Sequence, residues 1–172
     1  MRTKISILAL SCASMFVFNA SANAVNIDIT GTVVASPCVV NGSNESLAVN
    51  LGDNIQASSL EASGSNSDWV ATTLKLTNCP ASTTSFSVTF AGTPDADDSA
   101  YYRNTGTATN LKLELTDDSA DTKYKNGASL TNVAIPSTTH AYDLKLRARA
   151  KSKGIVMPGT IKGQVQATFT YQ

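Results

Sequence analysis

A chain of 172 residues, 42% of them hydrophobic and 15% charged, has the length of one ordinary domain and can fill a core without metals or partners. Lysine plus arginine and aspartate plus glutamate number 13 each, so the formal charge is zero. That balance excludes the basic surface of a nucleic-acid binder and the charge excess of a disordered chain.

The first element in chain order is a leader. Arg2 and Lys4 precede an apolar run from Ile5 to Phe18, and Ala-x-Ala patterns follow. Residues 1–24 read as a secretory signal peptide, cleaved after Ala22 or after Ala24. An apolar run of about 14 residues is too short for a membrane anchor, which needs ~20. Cleavage removes Cys12, so the mature chain keeps Cys38 and Cys79. In an exported protein such a pair is most simply one disulfide. Neither cysteine lies in a C-x-x-C or near a histidine, which sets a redox or metal site aside. Closing a ring of about 42 residues is worth roughly 4 kcal/mol in the loop-entropy account. Cleavage also leaves 11 basic against 13 acidic residues, a mature charge of −2.

Val25, Ile27, Ile29, Gly31 and Val33 then alternate with Asn26, Asp28, Thr30 and Thr32, the period of a strand with one apolar face. This row has two possible homes: it closes the chain's own sandwich as a first strand, or it is given to another molecule. Further strands are predicted at Leu74–Leu76, Phe86-x-Val88-x-Phe90, Leu111-x-Leu113-x-Leu115, Tyr142–Ala148 and Ile161–Tyr171. In the last of these Ile161, Gly163, Val165, Ala167, Phe169 and Tyr171 share one face. Turn-rich pieces at Gly64–Ser67, Gly92–Ser99 and Thr116–Gly127 separate the strands, and a short helical turn fits Ser58–Ala62. The pattern predicts an all-β chain, a two-sheet sandwich of immunoglobulin-like type, with no repeat and no second domain.

Catalytic and metal chemistry find little footing. His140 is the only histidine, and no serine or cysteine sits in a recognisable nucleophile setting. The acidic groups Asp95, Asp97, Asp98 and Asp117, Asp118, Asp121 lack the spacing of a calcium loop and read as solvated turns. Lys145, Arg147, Arg149, Lys151 and Lys153 alternate with Leu144, Leu146, Ala148 and Ala150, as the outward face of one strand does. Trp69, Tyr101 and Tyr102 fit packing better than a sugar platform. Asn41-Gly42-Ser43 and Asn44-Glu45-Ser46 match the glycosylation acceptor pattern, which matters only in a eukaryotic secretory pathway. The expectation is no enzyme, no cofactor and no metal.

Several pieces of the mature chain resemble the subunits of chaperone-usher fimbriae, most of all the minor tip adaptors of type 1 fimbriae. They are the alternating N-terminal segment running into "GTVVASPC", "LKLTNCP" (Leu74 to Pro80), "YYRNTGTATNLKLELTDD" (Tyr101 to Asp118) and the C-terminal strand. Gly159 at the fourteenth place from the end and Tyr171 next to last match that family's C-terminal signature.

The resemblance implies an immunoglobulin-like sandwich lacking its C-terminal, seventh strand. A periplasmic pilus chaperone would lend a strand beside Ile161 to Tyr171, with the terminal carboxylate of Gln172 held by basic chaperone residues. At the outer-membrane usher the extension of the next subunit would replace it, a form of strand addition. Residues 25–36 would then be the donor extension of this chain, with Val25, Ile27, Ile29, Gly31 and Val33 as its inserted face, and residues 37–172 the pilin domain. Burying four apolar side chains would supply roughly 6 to 12 kcal/mol before ordering costs. Gly31 suits a place where a side chain would collide with the acceptor.

The function implied is that of a non-enzymatic structural subunit, exported to the periplasm and then displayed on the bacterial surface, where it contributes to cell adhesion. Its neighbours would be other subunits, the tip adhesin among them. A major shaft pilin, a self-contained secreted immunoglobulin-like domain and a lectin-like binder are the alternatives.

Overall fold

The computed structural model describes residues 25–172, and the leader read at residues 1–24, with Cys12 and both cleavage points, lies outside them. The chain divides into two units, one reaching Thr32 and one spanning Val33–Gln172. In the first, residues 25–32 carry no strand, and Val25, Ile27 and Ile29 are exposed.

The second unit holds eight strands: β1 (Val39–Val40), β2 (Val70–Thr77), β3 (Ser85–Gly92), β4 (Tyr102–Arg103), β5 (Thr109–Asp117), β6 (Ser129–Ala134), β7 (Tyr142–Met157) and β8 (Val165–Tyr171). They form a five-stranded sheet in the order β1-β2-β7-β5-β4 and a three-stranded sheet in the order β6-β3-β8. All the pairings between strands are antiparallel. The expected all-β, immunoglobulin-like sandwich is what forms.

Alternation puts the core between the sheets. Leu74 and Leu76 of β2 and Leu144 and Leu146 of β7 face Phe86, Val88 and Phe90 of β3, all buried. Phe86 meets Tyr142 edge-on at 5.1 Å, and Phe90 stacks on Tyr124 at 4.5 Å, both favoured aromatic geometries. Cys38 and Cys79 form the disulfide, tying the residue before β1 to the loop after β2. A smaller cluster of Leu60, Ala108, Leu111 and Val156 fills one end, and Leu60 reaches it from a 3-10 turn over Ala57–Leu60.

The two-residue strands β1 and β4 are too short to show a period and lie outside the predicted strands, and three longer strands also differ from the sequence reading. β7 runs on to Met157, because Ala150 and Ser152 keep facing inward; the Ser152 hydroxyl satisfies itself on the Leu60 carbonyl at 2.7 Å. β6 is a strand despite having few apolar residues, since it covers β3 with an exposed face and a register shift near Asn132, whose φ is +52°. The C-terminal strand starts at Val165 instead of Ile161. Residues 159–163 turn aside to hold the loop before β5: Ala108 N–H donates to Thr160 O at 3.0 Å, and Thr105 N–H to Lys162 O at 2.8 Å.

Candidate functional site: an open groove beside the last strand

β8 lies at the edge of its sheet, and β3 is its only partner strand among the described residues. Gln172 and Ser85 exchange both backbone hydrogen bonds, at 3.0 and 3.1 Å. Antiparallel pairs alternate between bonded and non-bonded, so Thr170, Thr168 and Gln166 also spend their backbone groups on β3. Val165, Ala167, Phe169 and Tyr171 therefore turn their N–H and C=O groups toward the free edge. The same residues carry the inward apolar side chains, and each is only half-buried. An edge with unpaired backbone above an unfinished core is a template for another strand.

The core is unfinished because a groove of about 930 Å³ runs alongside β8. Leu74, Phe90, Leu111, Leu113, Leu115 and Leu146 form its floor, and Val165 and Ala167 form one wall. Leu47, Val49, Leu51 and Ile55 form the other. A second hollow of about 660 Å³, lined by Val40, Leu47, Val165 and Phe169, continues it. The opposite wall was not singled out in the sequence. Leu47-x-Val49-x-Leu51 alternates as a strand does, but it sits among Asn and Gly residues and pairs with no neighbour in the described chain.

The sequence-predicted residues fall into three places. Val165, Ala167, Phe169 and Tyr171 are on β8, as expected, and Gln172 follows it. One carbonyl oxygen of Gln172 accepts from the Thr84 N–H at 2.7 Å and the Ser85 N–H at 3.1 Å. Burial pushes the Tyr171 hydroxyl's pKa up, against a smaller downward pull from the Cys38 N–H that it meets.

Gly159, Ile161 and Gly163 line the groove's far end without belonging to the strand, a correction to the expected edge. Their reason is closeness. A Cβ at Gly159 would lie on the backbone of Thr107 and Ala108, and one at Gly163 would run into the Leu113 side chain. Val25, Ile27, Ile29, Gly31 and Val33 form no strand. Close by in sequence, the Thr83 hydroxyl donates to Ser36 O at 2.7 Å.

The charged groups set aside from the sequence find each other on the outer face of the larger sheet. Lys153 meets Asp95 at 3.1 Å and Asp97 at 2.8 Å, Arg149 meets Glu114 at 2.7 Å, and Lys112 meets Asp98 at 2.7 Å. Arg147 pairs with Asp121. Arg147 and Arg149 also lie over the Trp69 ring at 4.4 and 4.0 Å, while Lys112 and Lys123 lie over Tyr101 at 4.0 and 4.3 Å. Hydrogen bonds and charge from Lys153 hold the Asp97 carboxyl below its ordinary pKa, and a hydrogen bond from Lys112 does the same for Asp98. Within the basic row Arg147, Arg149 and Lys153 are thus paired with carboxylates, while the Lys151 ammonium donates to Gly64 O and Asn66 Oδ1 instead.

A family model described as "Fimbrial protein" matches residues 27–172. The protein FimG of Escherichia coli strain K12 is 37% identical over 117 residues, which cover 68% of this chain and 64% of FimG. The fimbrial-like protein YdeR of the same organism is 38% identical over 112 residues, 65% of this chain and 64% of YdeR. The matched region therefore spans under two thirds of either relative. Among solved structures, the P pilus rod subunit PapA superposes with a TM-score of 0.63 at 20% identity, covering 86% of this chain and all of PapA.

Proposed function

The chain belongs to the fimbrial protein family, and on that footing we propose that it is a structural subunit of a type 1-like fimbria, assembled by donor-strand exchange. The observation that carries this reading is the free edge of β8, whose unpaired backbone and half-buried apolar row border an open groove of about 930 Å³. A donor strand laid there would pair with Val165, Ala167, Phe169 and Tyr171 and fill the space up to Leu47, Val49 and Leu51. The periplasmic chaperone is the proposed first donor and the extension of the next subunit its replacement at the outer-membrane usher.

Residues 25–36 are the proposed extension through which this chain serves another subunit, and 37–172 the domain that accepts. Val25, Ile27, Ile29 and Val33 are exposed in this structure, as a strand kept for another molecule requires. Gly31 gives the orientation. Beside Gly163 the Leu113 side chain occupies the space that a Cβ would need. A donor antiparallel to β8 brings its glycine there and its next apolar residue, the equivalent of Val33, over Leu111 and Val156.

Within the fimbria we assign the chain to the tip, as a minor adaptor contributing to adhesion, exported through the periplasm to the cell surface. The stretch Tyr101–Asp118 supports that place over the shaft.

Thermal unfolding of the mature chain without the residues before Val34, alone and with a peptide spanning Asn23–Ala35, tests the reading. The expected result is a weakly stable or aggregating chain whose midpoint rises sharply with peptide. A stable monomer indifferent to donor peptides would mean a closed sandwich and a self-contained secreted domain.

A further inference from the structure

The turn that joins β1 to the groove wall is left-handed. Asn41, Gly42 and Ser43 have φ of +49°, +61° and +67°, three residues in a row in that region, and two of them are not glycine. A Cβ is crowded there, and asparagine tolerates the crowding better than most residues do. Such a run persists only where its surroundings hold it.

What holds it is one side-chain amide. Asn41 Nδ2 donates to Ser46 O at 2.8 Å and to Asn44 O at 3.3 Å, and Asn41 O accepts from the Asn44 N–H at 3.1 Å and from Asn44 Nδ2 at 3.2 Å. Asn41 itself stands on a fixed base, because Val40 pairs with Leu76 of β2 and the Cys38–Cys79 disulfide fastens the chain just before. Beyond the turn the chain has little else to hold it. Among the described residues, the bond from Asn41 to Ser46 O is the one hydrogen bond that reaches residues 45–49, the stretch that carries Leu47 and Val49 of the wall. Asn41, Ser46 and Leu47 also line the second hollow, together with Val165 and Phe169 of β8. The sequence marked Asn41-Gly42-Ser43 only as an acceptor pattern for glycosylation, and the structure gives its asparagine a different use.

We propose that the Asn41 side-chain amide is a positioning residue for the groove: closed onto Ser46, it sets where Leu47, Val49 and Leu51 stand to meet a donor strand, and so how long the donor stays. This inference rests on the donor-strand reading. Asn41 acts through the wall, and its amide is needed as a hydrogen-bond donor. Aspartate has the same shape and the same tolerance of the left-handed region, but it would turn a carboxylate oxygen toward the carbonyls of Ser46 and Asn44. Glycine would keep the turn free of strain and leave it unheld.

The test is the dissociation rate of a fluorescent peptide spanning Asn23–Ala35 from the full mature chain. From an Asn41→Gly chain the peptide is expected to leave about tenfold faster than from the native chain, the loss of one net hydrogen bond. The thermal midpoint of that chain without peptide is expected to stay at the native value, since Asn41 lies outside both core clusters. Asn41→Asp is expected to speed release at least as much, which guards against a defect peculiar to the glycine. In a Leu47→Ala/Val49→Ala chain, where the wall itself is cut back, Asn41→Gly is expected to add little, because the two changes act on one contact. If the peptide leaves Asn41→Gly and Asn41→Asp chains as slowly as the native one, the groove reading stands and the positioning role is refuted. A tenfold effect of Asn41→Gly that persists undiminished beside Leu47→Ala/Val49→Ala refutes it as well, since the amide then acts elsewhere. If the peptide does not bind the native chain, the donor-strand reading falls and this inference with it.

Discussion

Tyr102 shows how one residue serves both the core and the groove. Its ring is buried, and its hydroxyl donates to Tyr124 O at 2.7 Å. Burial pushes its pKa up to about 12 from an ordinary 10.0. A folded-state value above the unfolded one means that the folded chain keeps a proton that the unfolded chain releases, so stability is complete below the unfolded value and drains away as pH rises through the folded one. The midpoint of thermal unfolding should therefore hold steady up to about pH 10 and fall between about 10 and 12. Tyr102→Phe should lessen that decline, leaving the part due to Tyr124 and Tyr171, whose hydroxyls burial also pushes up, while costing about 1 kcal/mol at neutral pH for the lost hydrogen bond. An unchanged alkaline slope in the variant would remove Tyr102 as its cause. The sequence marked Tyr102 only as an aromatic suited to packing; its hydrogen-bond partner 22 positions away was invisible to any local pattern.

At the scale of elements, what could be read from the chain was whatever alternated cleanly. Phe86-x-Val88-x-Phe90 is an interior strand and stood out, because both neighbours in its sheet and the facing sheet demand apolar residues on one side. β6 did not, because a strand whose outer face is wet and whose register shifts at Asn132 has little apolar signal. Residues 161–164 misled in the opposite direction. They continue the alternation of β8, but Gly163 and Gly159 let the backbone close on Leu113 and on Thr107–Ala108, and hydrogen bonds to that loop win over the ladder. The wall at Leu47–Leu51 alternates in sequence yet pairs with no strand in the described chain, so donor peptide should convert it into a strand. Amide exchange at residues 47–51 is expected to slow at least tenfold when peptide is bound, since exchange then requires opening of a paired strand. No change in exchange there would place the donor away from this wall.

At the largest scale, the unit Val33–Gln172 is a sandwich whose two sheets meet over Phe86, Phe90 and the β2 and β7 leucines, with the disulfide fastening the chain just before its first strand. Replacing both cysteines with alanine should cost about 2–5 kcal/mol in denaturant unfolding, because the Cys38–Cys79 ring restrains the unfolded chain and one side of the groove hangs from it. An unchanged midpoint would show that the strands alone hold that wall. The sequence by itself determined the fold class, the cysteine pair and the inward row of β8, since each is written in local period or in residue type. Only the tertiary structure decided that β8 has a free edge, that Leu47, Val49 and Leu51 face it across an open groove, and that Gly159–Gly163 line its end without joining the strand. Those facts depend on which strands are neighbours. Pairing is settled by contacts between residues far apart in the chain, which no local pattern encodes.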